Sequence, residues 1–85
     1  MEYVVVAFRS RAHTVKFSEY LRRNGLSVEI INTPKEAGVG CGLSVKIPKY
    51  ALMAVKRAVA ISDLNSFAGT FLVKNLAGKR TVTII

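Results

Sequence analysis

An α+β fold is predicted by three features of the sequence. Short β-branched, apolar segments alternate with two segments of helical periodicity, turns bearing glycine or proline separate them, and their order reads β-α-β-β-α-β with one more strand after it. That order is the split βαβ, or ferredoxin-like, arrangement: an antiparallel sheet with two helices on one face, here with an extra C-terminal edge strand.

Residues 3–8 (YVVVAF) are apolar on both faces of a strand, which predicts a central position in the sheet. Ser10 supplies an N-cap for a helix over 11–24, and Gly25 ends it at the position after the C-cap. On that helix His13, Phe17, Tyr20, Leu21 and Asn24 share the face expected to pack, while Arg11, Lys16, Arg22 and Arg23 lie elsewhere. Residues 26–31 (LSVEII) form a second strand. Residues 32–42 (NTPKEAGVGCG) hold one proline and three of the six glycines of the chain, the composition of a loop. Residues 43–47 (LSVKI) alternate as a strand with one wet face. Pro48 fits the first turn of a helix reaching about residue 61, with Leu52, Val55, Ala58 and Val59 as its buried stripe. A polar link, 62–68, leads to strands at 70–74 (TFLVK) and 81–85 (TVTII), joined through 75–80 around Gly78.

Eighty-five residues, 51% apolar and 21% charged, suit one globular domain spanning 1–85. The longest apolar runs fall far short of the ~20 residues of a membrane helix. Glu2 and Arg9 interrupt what a signal peptide needs, so a cytoplasmic location is expected and no membrane partner. Cys41 is the single cysteine, which excludes an internal disulfide and a zinc site of several thiolates; no metal and no cofactor is expected. The formal charge of +8 favours an anionic partner, whether nucleic acid, an acidic protein surface or a small anion. The simpler alternative is that the charge only prevents association.

Topology makes the first functional statement. In this arrangement the first two strands end at the same end of the sheet, and the link after the second helix returns there. Arg9, Ser10, His13, Thr33, Cys41 and Asp63 are therefore expected around one rim. The free N–H groups of a helix start favour an anion near residues 10–13, and a thiolate is such an anion. Gly40 and Gly42 flank Cys41 without side chains, so a second protein can approach the sulfur and successive backbone N–H groups can face it. Plainer readings stand beside these. A lone cysteine is often buried filler, His13 can be satisfied by a carbonyl, Arg9 and Arg11 can be solvated charges, and the glycines can merely make a turn.

The stretch FRSRAH…F…L…NGLSVEIINTPKEAGVGCGLSVKI resembles a known family, the putative selenium/sulfur carrier protein-like family of small bacterial domains. The resemblance rests on Phe8-Arg9-Ser10 at the end of the first strand, Ala12-His13-Thr14 at the helix start and Gly25-Leu26 before the second strand. Thr33-Pro34-Lys35-Glu36 and the pair Cys41-Gly42 complete it, with Lys46 where the family often carries a basic residue. It covers about residues 3–47, and no family motif is evident in the second half.

The resemblance implies that Cys41 accepts a sulfur or selenium atom as a persulfide or selenosulfide and passes it on. It implies Arg9, Ser10 and the helix N–H groups as donors to the terminal chalcogen, and His13 as the residue that orients the thiol or moves its proton. Thr33 and Lys46 stand behind them. The implied partners are a cysteine desulfurase, or another chalcogen donor, and an acceptor protein. Such a chain is a carrier more than a turnover enzyme. The competing reading is a basic nucleic-acid or small-anion binding module of the same fold. Nucleic acid is disfavoured because LSVKI lacks the aromatic platform of an RNA-recognition module. A phosphate-holding enzyme using loop 8–13 has only fold-level support. A self-contained oxidoreductase lacks a resolving thiol. A homodimer through the apolar edge at 81–85 stays open.

Overall fold

The computed structural model describes residues 1–39 and 41–85. Its strands are β1 (Glu2–Phe8), β2 (Glu29–Asn32), β3 (Leu43–Ile47), β4 (Phe67–Leu76) and β5 (Lys79–Ile84), with helices α1 (Arg11–Arg23) and α2 (Leu52–Ile61). Single 3-10 turns cover Lys35–Ala37 and Lys49–Ala51. The sheet is antiparallel throughout, in the order β2-β3-β1-β4-β5. The first four strands are the ferredoxin-like sheet, and β5 extends it beyond β4.

Strand β1 is central, as its two-sided apolar sequence requires. Val4, Val6 and Phe8 enter the core beneath the helices with Phe17, Leu21, Val45, Ile47 and Val55, while Val5 and Ala7 face the other way. Several boundaries move from their expected places for visible reasons. Strand β2 begins only at Glu29, because Leu26 is still tied to α1 by its N–H to the Leu21 carbonyl. Strand β4 is long because β1 pairs with it on one side and β5 on the other. The β4–β5 hairpin turns on Ala77 and Gly78, both at positive φ, the two-residue geometry that matches strand twist.

Helix α1 lies on the sheet through Thr14, Phe17, Ser18 and Leu21, whereas Tyr20 and Asn24 are exposed. Two small hydroxyl residues therefore replace larger expected ones at the contact. Their polar atoms are satisfied locally, Thr14 donating to the Ser10 carbonyl at 3.1 Å and Ser18 to that of Val15 at 2.9 Å, so the helix can approach the sheet closely.

The face of the sheet away from the helices is also covered. Val5, Ala7, Phe71 and Val73 are buried there, packed by Ala37 and Val39 of the segment after β2 together with Ile31, Ala68 and Val82. Glu36 in that segment receives two hydrogen bonds from Arg80 of β5, at 3.1 Å from Nε and 2.8 Å from Nη2. The Arg80 hydrogen bonds hold the Glu36 carboxyl below its ordinary value of 4.5, and a hydrogen bond from Lys49 does the same for Glu2. Both carboxyls thus bind protons less readily folded than unfolded. They add stability above about pH 4.5 and lose that contribution as pH falls through their lower folded values. Urea midpoints are expected to drop on acidification from that pH, and Glu36→Gln to flatten the slope.

Within this second layer the Phe71 ring lies over Gly69, where an added Cβ would sit 2.9 Å from Phe71 Cζ on a backbone with φ +155°. Gly69→Ala is expected to lower stability by about 1–3 kcal/mol, read from chemical denaturation, because the ring must move inside a closed layer.

Candidate functional site

The end of β1 is the organising element. The Phe8 carbonyl accepts the Cys41 N–H at 3.1 Å on the β3 side, and the Arg9 N–H donates to the Ser66 carbonyl at 2.7 Å on the β4 side. Between them the chain turns directly into α1. The β1–β4 register also slips here, from Ala7 opposite Gly69 to Phe8 opposite Phe67. The resulting bulge aims Ser66 and Phe67 at the start of the helix.

Ser10 is the N-cap of α1, as expected, its Oγ accepting the His13 N–H at 3.2 Å. The Ser10 N–H in turn donates to Ser66 Oγ at 3.2 Å, and His13 Nδ1 lies 2.6 Å from the same oxygen. The first turn of α1 carries no acidic residue. The amides of Arg11 and Ala12 belong to that turn, where no intrahelical carbonyl is available, so the helix start presents positive potential to the rim. Arg9 is exposed and its Nη1 reaches the Phe67 carbonyl at 3.4 Å.

Cys41 is a half-buried free thiol. Its Sγ lies 3.7 Å from Thr14 Oγ1, in the first turns of α1, and 3.7 Å from the Leu43 carbonyl oxygen. The Thr14 side chain is fully buried, and its hydroxyl proton is directed at the Ser10 carbonyl. It therefore offers the sulfur a lone pair, which suits S–H, and by rotating its hydroxyl it can offer a donor to an anionic sulfur. Gly42 follows at φ +94°, a conformation that favours glycine, and its carbonyl accepts the Thr33 N–H at 2.9 Å. Thr33 Oγ1 and the buried Ser44 Oγ are 2.7 Å apart, which ties down the base of the loop. A shallow depression of about 280 Å³ is lined by Thr33, Lys35, Gly38, Val39 and Gly42, the residue after the cysteine.

The rim thus brings together Arg9, Ser10, His13, Thr33, Cys41 and Gly42. Gly40 lies outside the described residues. Lys46 stands apart, with its Nζ 4.7 Å from the Tyr3 ring centroid. Asp63 is exposed and lines a groove between the helices. The hydrogen bond of the His13 ring goes to Ser66, and the hydroxyl at the sulfur belongs to Thr14. Sequence reasoning missed both Thr14 and Ser66. The topology argument that sent the 62–68 link to this rim could have named Ser66, and the i, i+4 spacing of Ser10 and Thr14 could have named Thr14.

Among the described residues, no helix is long and apolar enough to cross a membrane. No curated protein and no solved structure matches the chain. The family model described as Putative Se/S carrier protein-like matches residues 3–65, from β1 through α2 and well past the cysteine loop. With nearly three quarters of its length matched, the chain belongs to the Se/S carrier protein-like family.

Proposed function

We propose that this protein carries a chalcogen atom on Cys41. The observation that carries the reading is the position of Cys41 Sγ, 3.7 Å from the Thr14 hydroxyl at the start of α1, in a chain of this family. The Cys41 thiolate attacks the outer sulfur of a donor persulfide, a new S–S bond forms, the donor S–S bond breaks, and the donor thiolate leaves. The carried sulfur keeps its oxidation state, and a thiolate of the acceptor removes it by the same exchange. Selenium follows the same electron count.

The loaded form is an anion with its charge on the terminal atom. The N–H groups of the α1 start and the Arg9 guanidinium favour it, and Thr14 turns its hydroxyl toward the inner sulfur. Ser10 shapes the helix start by capping it. For His13 the reading keeps proton transfer at the rim, since its Nδ1 is engaged by Ser66 and the thiol is oriented by Thr14. The half-exposed loop and the glycine after the cysteine leave room for a donor such as a cysteine desulfurase and for an acceptor protein.

The nucleic-acid reading loses support from the second layer. RNA-recognition modules of this topology stack bases on the helix-free sheet face. Here Ala37 and Val39 cover that face.

The test is incubation with a cysteine desulfurase and either cysteine or selenocysteine, followed by intact-protein mass measurement. The expected product gains one sulfur or one selenium, maps to Cys41 and returns to its original mass with a thiol reductant. A desulfurase that is itself charged with persulfide and leaves the protein unchanged would falsify the carrier reading.

A further inference from the structure

Helices α1 and α2 both cover the core on one face of the sheet, and their backbones stand apart from each other. The gap between them is an open trench. Its upper part, about 470 Å³, is floored by Phe17, Tyr20, Ala58, Ile61 and Leu64 with Lys16 and Arg23 at its edge. Its lower part, about 350 Å³, shares Tyr20 and Ala58 and continues past Leu26 and Tyr50.

Apolar side chains are exposed along this flank: Tyr50 in the turn before α2, and Met53 and Ile61 on α2 itself, are 83%, 68% and 76% exposed, where a surface helix ordinarily presents polar groups. The α1 border is cationic: Lys16 and Arg23 are exposed and form no ion pair among the described residues, and Asp63, at the upper end, is the one acid among the residues that line the trench.

We infer that this trench docks an acidic amphipathic helix of a partner protein. The ten residues of α2 make the trench about 15 Å long, the length of roughly three helical turns. An occupant with an apolar stripe on the floor and Asp or Glu along its flanks satisfies both the exposed apolar groups and the unpaired cations. A second copy of this chain is a poor occupant, because it brings a further +8 against the same cations. The inference stands independently of what Cys41 carries. It does place the docked helix near the chemistry, since the upper end of the trench at Leu64 is two residues before Ser66.

The test uses the full chain and a fluorescent synthetic peptide of about three helical turns, with leucines on one face and glutamates on its flanks. Controls are a scrambled peptide of the same composition and a lysine-flanked version. Saturable binding of the acidic amphipathic peptide alone is expected, with NMR shift changes at Tyr20, Ala58 and Ile61. The double charge reversal Lys16→Glu with Arg23→Glu should weaken binding about tenfold. Ile61→Asp, a change at an exposed position, should weaken it while leaving the fold intact. Four results overturn the inference. They are equal binding of the scrambled peptide, shift changes confined to other surfaces, a dimer in solution that covers the trench, and binding to anionic lipid vesicles with none to the peptide.

Discussion

Cys41→Ser protein incubated with a charged cysteine desulfurase is expected to keep its unmodified mass, while Thr14→Val protein loads but about tenfold more slowly. The serine variant removes the only sulfur nucleophile in the chain, so its loss is complete. The valine variant isolates the effect of the hydroxyl. Thr14 is buried and its shape is kept by valine, and the Ser10 carbonyl still receives the Thr14 backbone N–H at 3.1 Å. Stability should therefore change little. What disappears is the hydroxyl 3.7 Å from Sγ, and a hydrogen bond to an anionic partner is worth about 1.5–3 kcal/mol at good geometry. A long contact to sulfur belongs at the low end of that range, which gives the tenfold figure. Single-turnover loading followed by mass spectrometry reads both variants on one scale. An unchanged rate in Thr14→Val would assign the anion to the backbone N–H groups instead.

Phe8→Ala is expected to have the largest effect on stability, about 3–5 kcal/mol. Its ring is fully buried and meets Phe17 at 5.2 Å, Phe67 at 6.0 Å and His13 at 6.5 Å between centroids. The Phe8 side chain thus joins β1, α1 and β4 at the rim. A domain of this size has a total stability of about 4–13 kcal/mol, so the variant sits near the edge of folding. Phe8→Leu, which keeps most of the volume, should cost about 1–2 kcal/mol and remain folded. Its value lies in the site: with the aromatic contacts to His13 and Phe67 gone, alkylation of Cys41 should become faster than in the parent under native conditions. Urea denaturation and thiol labelling together separate the two effects.

The fold was legible because its signals were local. YVVVAF, apolar on both faces, reads as a central strand, Ser10 and Gly25 bracket α1, and the β-α-β-β-α-β order spells a topology whose connections bring the two loops to one end. The rim followed from that order alone, including the pairing of the β1 end with the cysteine loop. What escaped were features set by packing distance. Thr14 and Ser18 are polar and give no packing signal in the sequence, yet both are buried where α1 meets the sheet. The loop 32–42 read as a connector, because nothing in NTPKEAGVGCG announces that Ala37 and Val39 cover Phe71 and Val73 thirty residues away. Ser66 was hidden in a link with no periodicity, and only the β1–β4 bulge aims it at His13.

The bulge and the Glu36–Arg80 pair carry one more consequence. The family match ends at residue 65, but Ser66, Phe67 and Arg80 lie after it and hold one flank of the β1 end and the far side of the cysteine loop. The matched segment is thus not a self-sufficient unit: transplanted alone onto another scaffold, it would bring the nucleophile and the helix cap while leaving behind the strands that brace them.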